Sequence, residues 1–328
     1  MKFIVSWSGG KDSQAALIWA KEQFGQNLTV IFCDTGWEHK TTYQHVQDVV
    51  AQMGLQLTVL KSKKYDGMVD LAKKSTRFPS RSRRFCTQEL KVIPTIDYIL
   101  DEVKGSFMII EGIRAEESIT RSMMKDYCQY FKYYFEPYKS NQITVETLGN
   151  RENLSMAQKI ELEKAKERLA IGKNDEKYYT YRKKEIVAFI RNQYAAEVYR
   201  PVFDLTAEQV IAYIYDHGQQ PNPLYFQGAK RVGCYPCIVS GLQEINAIGQ
   251  DAEYRERLIA AEAETGSTFF GPNVIPKRYQ TGIDARSGKK IPTAEDVFRY
   301  VEYVGRKSLD LFPKPENHRC MSHYAICE

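Results

Sequence analysis

The stretch Phe3-Ile4-Val5-Ser6-Trp7-Ser8-Gly9-Gly10-Lys11-Asp12-Ser13 constrains this chain more than any other. The consecutive apolar residues Phe3, Ile4 and Val5 predict a strand buried on both faces, as in a parallel sheet. Ser8, Gly9 and Gly10 predict a tight turn. From Lys11 to Ala20, the residues Ala15, Ala16, Leu17, Ile18 and Trp19 keep helical spacing. Strand, glycine turn and helix bring backbone N–H groups and a helix N-terminus to one point, and such a point binds phosphate. Ser8 and Ser13 add hydroxyls, and Lys11 adds a mobile positive charge. The spacing is not that of the Walker loop. The third glycine of the dinucleotide fingerprint is missing as well.

The strand-to-helix rhythm continues. Leu28 to Cys33 reads as a second buried strand and ends in Asp34-Thr35-Gly36. A carboxylate at the C-terminal end of a parallel strand faces the ligand crevice of an open α/β sheet. Tyr43 to Met53 has helical spacing, and Gly54 closes it. Leu55 to Leu60 alternates as a third strand would. Residues 61–86 are basic and read as a loop, with Lys73, Lys74, Arg77, Arg81, Arg83 and Arg84 clustered there. A helix is expected from Thr87 to Val103, bent or restarted at Pro94. Phe107 to Ile110 is a fourth strand. The fold class is therefore α/β, a parallel sheet with helices on both faces.

Later segments break this rhythm. Residues 122–198 hold an aromatic patch and a strongly charged helix from Met156 to Leu169, and read as a helical insertion. A helix from Ile186 to Tyr194 follows, and Val198 to Phe203 reads as a last strand. Thr206 and Gln209 form a capping box, and Asp216-His217-Gly218 ends its helix. The organisation predicted is a nucleotide-binding domain of residues 1–121 and 199–240, the insertion 122–198, and a mainly helical C-terminal extension 241–328. Thr293 and Asp296 cap a helix within that extension.

With 328 residues and 43% hydrophobic content, the chain can bury a sizeable core. A net charge of +5 favours a polyanionic partner only where charge clusters, and Arg77–Arg84 is such a cluster, suited to nucleic acid. No apolar run approaches the length of a membrane span, so no membrane partner is expected. The first strand begins at once, which leaves no room for a leader, so the expected location is cytoplasmic. The seven cysteines are then thiols, catalysts or metal ligands sooner than disulfides.

Four separated blocks, Ser8–Ser13, Phe85–Pro94, Gly112–Arg121 and Arg200–Cys237, together resemble the phosphoadenosine phosphosulfate (PAPS) reductase superfamily. Ser8–Ser13 itself resembles the pyrophosphate loop, or PP-loop, of the N-type ATP pyrophosphatases. The superfamily includes sulfonucleotide reductases, the small subunit of sulfate adenylyltransferase and a DNA phosphorothioation protein. The resemblance implies a Rossmann-like adenine nucleotide α-hydrolase fold that cleaves ATP between its α and β phosphates. By it, Ser8, Gly9, Gly10, Lys11, Asp12 and Ser13 hold the triphosphate. Asp34 lies near the nucleotide or a Mg²⁺ ion, and Gly112 and Arg114 lie over the sugar or phosphates. Arg121 holds an anionic second substrate. Lys11, Asp12, Arg114 and Arg121 are the implied catalytic set.

The superfamily divides between adenylating members and reductases. Adenylating members keep Ser-Gly-Gly-Lys-Asp-Ser intact, as here. Reductases have a degenerate loop and a nucleophilic cysteine in the tail, and Cys327 sits in this tail. The favoured expectation is adenylation of an acceptor by ATP, in sulfur transfer to a nucleic acid. The alternatives are a thiol-dependent sulfonucleotide reductase and a nucleotide-binding regulatory module without turnover.

Cys234-Tyr-Pro-Cys237 can grip one metal. Cys86 is expected just before a helix start, where the helix dipole would lower its pKa. In iron–sulfur members, a cysteine block before Leu-Lys and a later Cys-x-x-Cys hold a [4Fe–4S] cluster. Here Phe85 stands where the first of two adjacent cysteines would be. Cys86, Cys234 and Cys237 are then three ligands, with Cys320 the choice for the fourth and Cys128 the alternative. Zn²⁺, completed by His318 or His323, is the other reading, and free thiols the third. Cys33 reads as a small core residue. Acceptor and oligomeric state are not legible.

Overall fold

The computed structural model describes residues 1–284 and 287–311. The chain begins with β1 (Lys2–Ser6), α1 (Lys11–Phe24), β2 (Leu28–Cys33), α2 (Lys40–Gln52) and β3 (Leu57–Leu60). A short helix α3 (Met68–Lys74) follows, within the basic stretch expected to be loop. Met68, Leu71 and Ala72 are its buried face, so apolar residues at spacings of three and four prevailed over the surrounding charge. Residues 85–103 form one continuous helix, α4, with two π-type turns at Gln88–Val92 and Ile99–Val103. Pro94 therefore does not break it. The wider turn before it accommodates a residue that cannot donate an N–H.

β4 (Phe107–Glu111) completes the first half. The strand order is β3-β2-β1-β4-β6-β5, where β5 is Tyr127–Gln129 and β6 is Ala196–Tyr199. Five strands are parallel, and β5 pairs antiparallel with β6 at the edge. β5 is three residues long and carries no period a sequence could display. The last expected strand, Val198 to Phe203, instead starts at Ala196 and ends at Tyr199.

The near-continuous apolar runs of the strands are explained by two cores. Val5, Val30, Phe32 and Ile110 face α1 and α2. Their neighbours Ile4, Ile31 and Ile109 face α4 and, from the insertion, Phe131, Tyr134, Ile186 and Phe189. Adjacent residues of one strand thus serve opposite faces. A third core joins Trp37, α3, Phe78 and Leu90 to Ile245, Leu258, Phe269, Val297 and Phe298. The helices Leu242–Gln250, Ala252–Thr265 and Ala294–Leu311 therefore pack on the sheet domain beside the C-terminal end of β2. Both expected caps form: Thr206 with Gln209, and Thr293 with Asp296. Among the described residues, no helix is long and apolar enough to cross a membrane.

Candidate functional site

The strand order reverses direction between β1 and β4. Ligands of open α/β sheets bind outside the carboxyl ends of the strands at this point. Ser8–Ser13 follows β1, and Gly112–Arg114 follows β4, so two of the expected blocks meet there. Gly9 has φ +79°, and a Cβ on it would stand 2.7 Å from Thr42 Cγ2. Ser13 Oγ donates to the Gly10 carbonyl at 2.9 Å and shares a hydrogen bond of 2.9 Å with Ser8 Oγ. The two serines thus shape the loop as well as lining it. Gly10 precedes the 14-residue α1, whose N-terminal amides face the crevice.

Charge is concentrated at the same point. Lys11 is 3% exposed and Arg114 is 4% exposed. Asp12 joins them: Oδ2 lies 2.9 Å from Lys11 Nζ, and Oδ1 accepts from Arg114 Nε at 2.5 Å. Arg114 also reaches Glu116 at 2.5 Å. Burial alone would lower the Arg114 pKa, but Asp12 and Glu116 outweigh it and hold the group above its ordinary value. Beneath it, Glu111 at the end of β4 is paired with the buried Arg200 at 2.9 Å. Arg121 pairs with Glu117, four residues before it.

Asp34 follows β2, as expected. Its Oδ1 accepts from the Tyr43 hydroxyl at 2.6 Å and the Gly36 amide at 2.8 Å, and its Oδ2 is 3.1 Å from Lys61 Nζ. Burial raises its pKa, but these donors outweigh burial and leave the carboxyl below its usual range. Asp34 and Lys61 line a cavity of about 370 Å³ with Lys63, Lys64, Asp70 and Lys74.

The sequence reading missed a clamp on the Ser8–Ser13 loop. Tyr225 is buried, and its hydroxyl accepts from the Lys11 amide at 3.1 Å. Asn222 Nδ2 donates to the Gly9 carbonyl at 3.1 Å. Gln14 Nε2 donates to Gln219 Oε1 and to the Gln220 carbonyl. Residues 219–225 thus fasten the loop and first turn of α1. The local signal was Asn222 before Pro223, a side chain suited to turn capping.

Cys86 lies within the first turn of α4, not before it, and burial raises its pKa; the expected lowering by the dipole is overturned. Burial pushes the Cys234 thiol up to about 12, with Glu38 and Cys237 adding to the shift and Lys91 opposing it. Cys234 Sγ is 3.7 Å from the buried Glu38 and 3.6 Å from Thr35 Oγ1. Among the described residues, no three His, Cys, Asp or Glu side chains form a group that could hold a metal ion. Cys86, Cys234 and Cys237 therefore do not make a ligand shell by themselves. Cys320, Cys327, His318 and His323 lie outside the described residues. Cys128 is near Arg200, at 3.5 Å. Cys33 packs against the core on the α4 side of the sheet, as read.

The basic stretch is partly committed to structure. Arg81 donates to the Val239 and Ser240 carbonyls at 3.3 and 3.1 Å, and Arg77 lies over the Phe85 ring. Arg83 and Arg84 are exposed.

The model of the phosphoadenosine phosphosulfate reductase domain matches residues 2–240. An uncharacterized protein of Escherichia phage 186 is 29% identical over 99% of this chain and 96% of its own length. An uncharacterized protein of Methanocaldococcus jannaschii is 25% identical over 76% of this chain, which spans 38% of that longer protein. A nin region protein of Escherichia phage lambda is 32% identical over 35% of this chain and 48% of its own length. Among solved structures, the PAPS reductase of Candida auris in a phosphate complex is 14% identical, with a TM-score of 0.41, over 72% of this chain and 83% of that one. The FMN adenylyltransferase of Candida glabrata with FAD and pyrophosphate is 12% identical, with a TM-score of 0.39, over 71% of this chain and 55% of that one.

Proposed function

The chain belongs to the phosphoadenosine phosphosulfate reductase domain family, and from that premise we propose that it binds ATP and adenylates an acceptor. The observation that carries this reading is the Lys11–Asp12–Arg114 constellation at the switch point of the sheet. Two almost fully buried cations share the carboxylate of Asp12. Burying cations is costly unless anions compensate. Asp12 and, at Arg114, Glu116 compensate them in the free chain, and the phosphates of a nucleotide would compete with these carboxylates for the same two cations.

The reaction follows from this electrostatics. An acceptor oxyanion attacks the α phosphorus in line. The new O–P bond forms as the bond from α phosphorus to the bridging oxygen breaks, and the electron pair leaves with pyrophosphate. The α1 amides and Lys11 meet the charge that develops on the leaving group. Asp12 positions Lys11 and Arg114, and Arg114 lies over the α phosphate from the β4 side. The clamp of residues 219–225 keeps the loop in shape. A Mg²⁺ ion, for which Asp34 would be the candidate ligand, would supply further neutralisation of the phosphates. The adenylated product is the activated form that a sulfur-transfer step onto a nucleic acid would consume.

Pyrophosphate release from ATP, measured against a panel of oxyanion acceptors, tests the reading. Lys11→Ala should abolish release. Release that survives in this variant overturns the assignment, and sulfite release from an activated sulfonucleotide would favour the reductase alternative instead.

A further inference from the structure

Residues 177–184 of the insertion, Lys-Tyr-Tyr-Thr-Tyr-Arg-Lys-Lys, interleave aromatic and basic side chains. They run alongside residues 133–139. The Tyr138 amide donates to the Lys177 carbonyl at 2.9 Å, the Lys177 amide to the Lys139 carbonyl at 2.8 Å, and the Tyr179 amide to the Tyr133 carbonyl at 2.9 Å. This pairing gathers three rings into one shelf. The Tyr179 ring centroid is 5.8 Å from that of Tyr133 and 4.9 Å from that of Tyr138. Tyr133 and Tyr138 are 42% and 43% exposed. Exposed rings scattered singly need no explanation, but rings gathered into one patch mark an interaction surface.

The cations beside the shelf are available. Lys183 Nζ stands 5.5 Å from the Tyr178 ring centre. Among the described residues, Lys177, Lys183 and Lys184 make no ion pair. The nearby carboxylates are engaged: Glu161 by Lys139, Asp175 by Arg168, Glu176 by the Tyr178 hydroxyl, and Asp97, Asp101 and Glu185 by Arg182. At one end of this track, Lys139 and Lys177 line a cavity of about 410 Å³ with Lys164 and Arg168. At the other, Arg182 and Lys63 share Asp101 at 2.7 and 2.8 Å, and Lys63 lines the cavity beside Asp34.

We propose that the shelf of Tyr133, Tyr138 and Tyr179, with Lys177, Lys183 and Lys184, binds a single strand of nucleic acid and leads it toward the cavity beside Asp34. Ring faces stack on unpaired bases of any kind, and lysines follow the phosphates. A duplex keeps its base faces inside its own stack and can use only the lysines. Use of the bound strand as the acceptor rests on the adenylation reading; binding itself does not. The basic loop at residues 77–84 is the weaker candidate, because Arg77 and Arg81 are held within the fold and its one ring, Phe78, is buried.

Fluorescence anisotropy on the full chain, without ATP, tests this with a labelled DNA single strand, an RNA single strand of the same sequence and the DNA duplex. A single strand should bind more tightly than the duplex, and the tighter of the two single strands identifies the nucleic acid that the track serves. Tyr133→Ala and Tyr138→Ala should each weaken single-strand binding about tenfold, the loss of one stacked base, and Tyr138→Phe should keep it. Lys177→Ala and Lys183→Ala should each lower the slope of log affinity against log salt by about 0.7. Both tyrosine rings are exposed, so unchanged thermal midpoints are expected and show that the variants keep the fold. Duplex binding as tight as single-strand binding, tyrosine variants that bind like wild type, or no binding of any probe overturns the track. Loss of binding confined to Arg83→Ala and Arg84→Ala places the strand on the basic loop and overturns it as well. Calorimetric titration with a non-hydrolysable ATP analogue decides the nucleotide reading separately. Its failure in the wild-type chain overturns that reading and leaves the track standing.

Discussion

Gly112 lies against Asp12 so closely that a Cβ on the glycine would stand 2.3 Å from the Asp12 carbonyl oxygen. The end of β4 and the first turn of α1 touch backbone to backbone here, and Ser13 N is equally near. No rotamer change can relieve such a contact. Gly112→Ala must push the two elements apart, at a cost of about 1–3 kcal/mol or more. The expected result is a lower thermal midpoint and lost binding of an ATP analogue. Gly149→Ala, with nothing within 4 Å of its Cβ, should change neither. Equal binding by Gly112→Ala and wild type would show that this approach does not position the site.

The clamp makes its own prediction. Tyr225→Phe removes the acceptor of the Lys11 amide, and Asn222→Ala removes both a donor to Gly9 and the acceptor of the Leu224 amide at 3.0 Å. Asn222 is fully buried, so its partners lose hydrogen bonds without gaining water. Urea unfolding should show a loss of about 1 kcal/mol for Tyr225→Phe and about 2–3 kcal/mol for Asn222→Ala. ATP-analogue affinity should fall in both, because the loop loses its fixed shape.

What the sequence disclosed and what it hid follow from how local each signal is. The strand, glycine turn and helix of residues 3–24 are neighbours in the chain, and their period shows them. Gly112 and Arg114 follow the apolar run of β4, and their expected role came from the resemblance of their block to the family and not from any local period. Tyr225 reaches the Lys11 amide across 214 residues, and no local pattern marks that partnership. Arg231 reaches Glu117 in the same hidden way. Cys86 read as a residue just before a helix start, with its pKa lowered by the dipole, but burial is a property of the packed core and not of the segment. The helix α3 was legible in Met68, Leu71 and Ala72 and was masked by the lysines around it.

Asp12 is the hinge of the charge balance, and replacing it tests whether the site is built for an anion. Asp12→Asn leaves Lys11 and Arg114 buried without their shared carboxylate, although Arg114 keeps Glu116. Breaking a buried pair in this way costs about 3–5 kcal/mol, and the retained Glu116 contact places this case at the lower end. Tripolyphosphate should raise the thermal midpoint of Asp12→Asn more than that of wild type, because the ligand supplies the missing charge. An equal or smaller rise would mean that polyphosphate does not reach these two cations.

His45 sets the acid limit of the clamp. Its ring is 3.2 Å from Gln14 Oε1, and Gln14 holds residues 219 and 220. Burial lowers the His45 pKa from 6.5 to about 4, with Asp48 opposing weakly. The folded state therefore keeps the ring neutral where the unfolded chain takes up a proton. The stability from this group is fully present above pH about 6.5 and is lost as pH falls toward its folded value, by up to about 3 kcal/mol. Urea unfolding between pH 7.5 and 4 should show this decline, and His45→Gln should flatten it in that window while the carboxylates still drive loss at lower pH. An unchanged slope in the variant would mean that His45 is protonated in the folded state as readily as in the unfolded one.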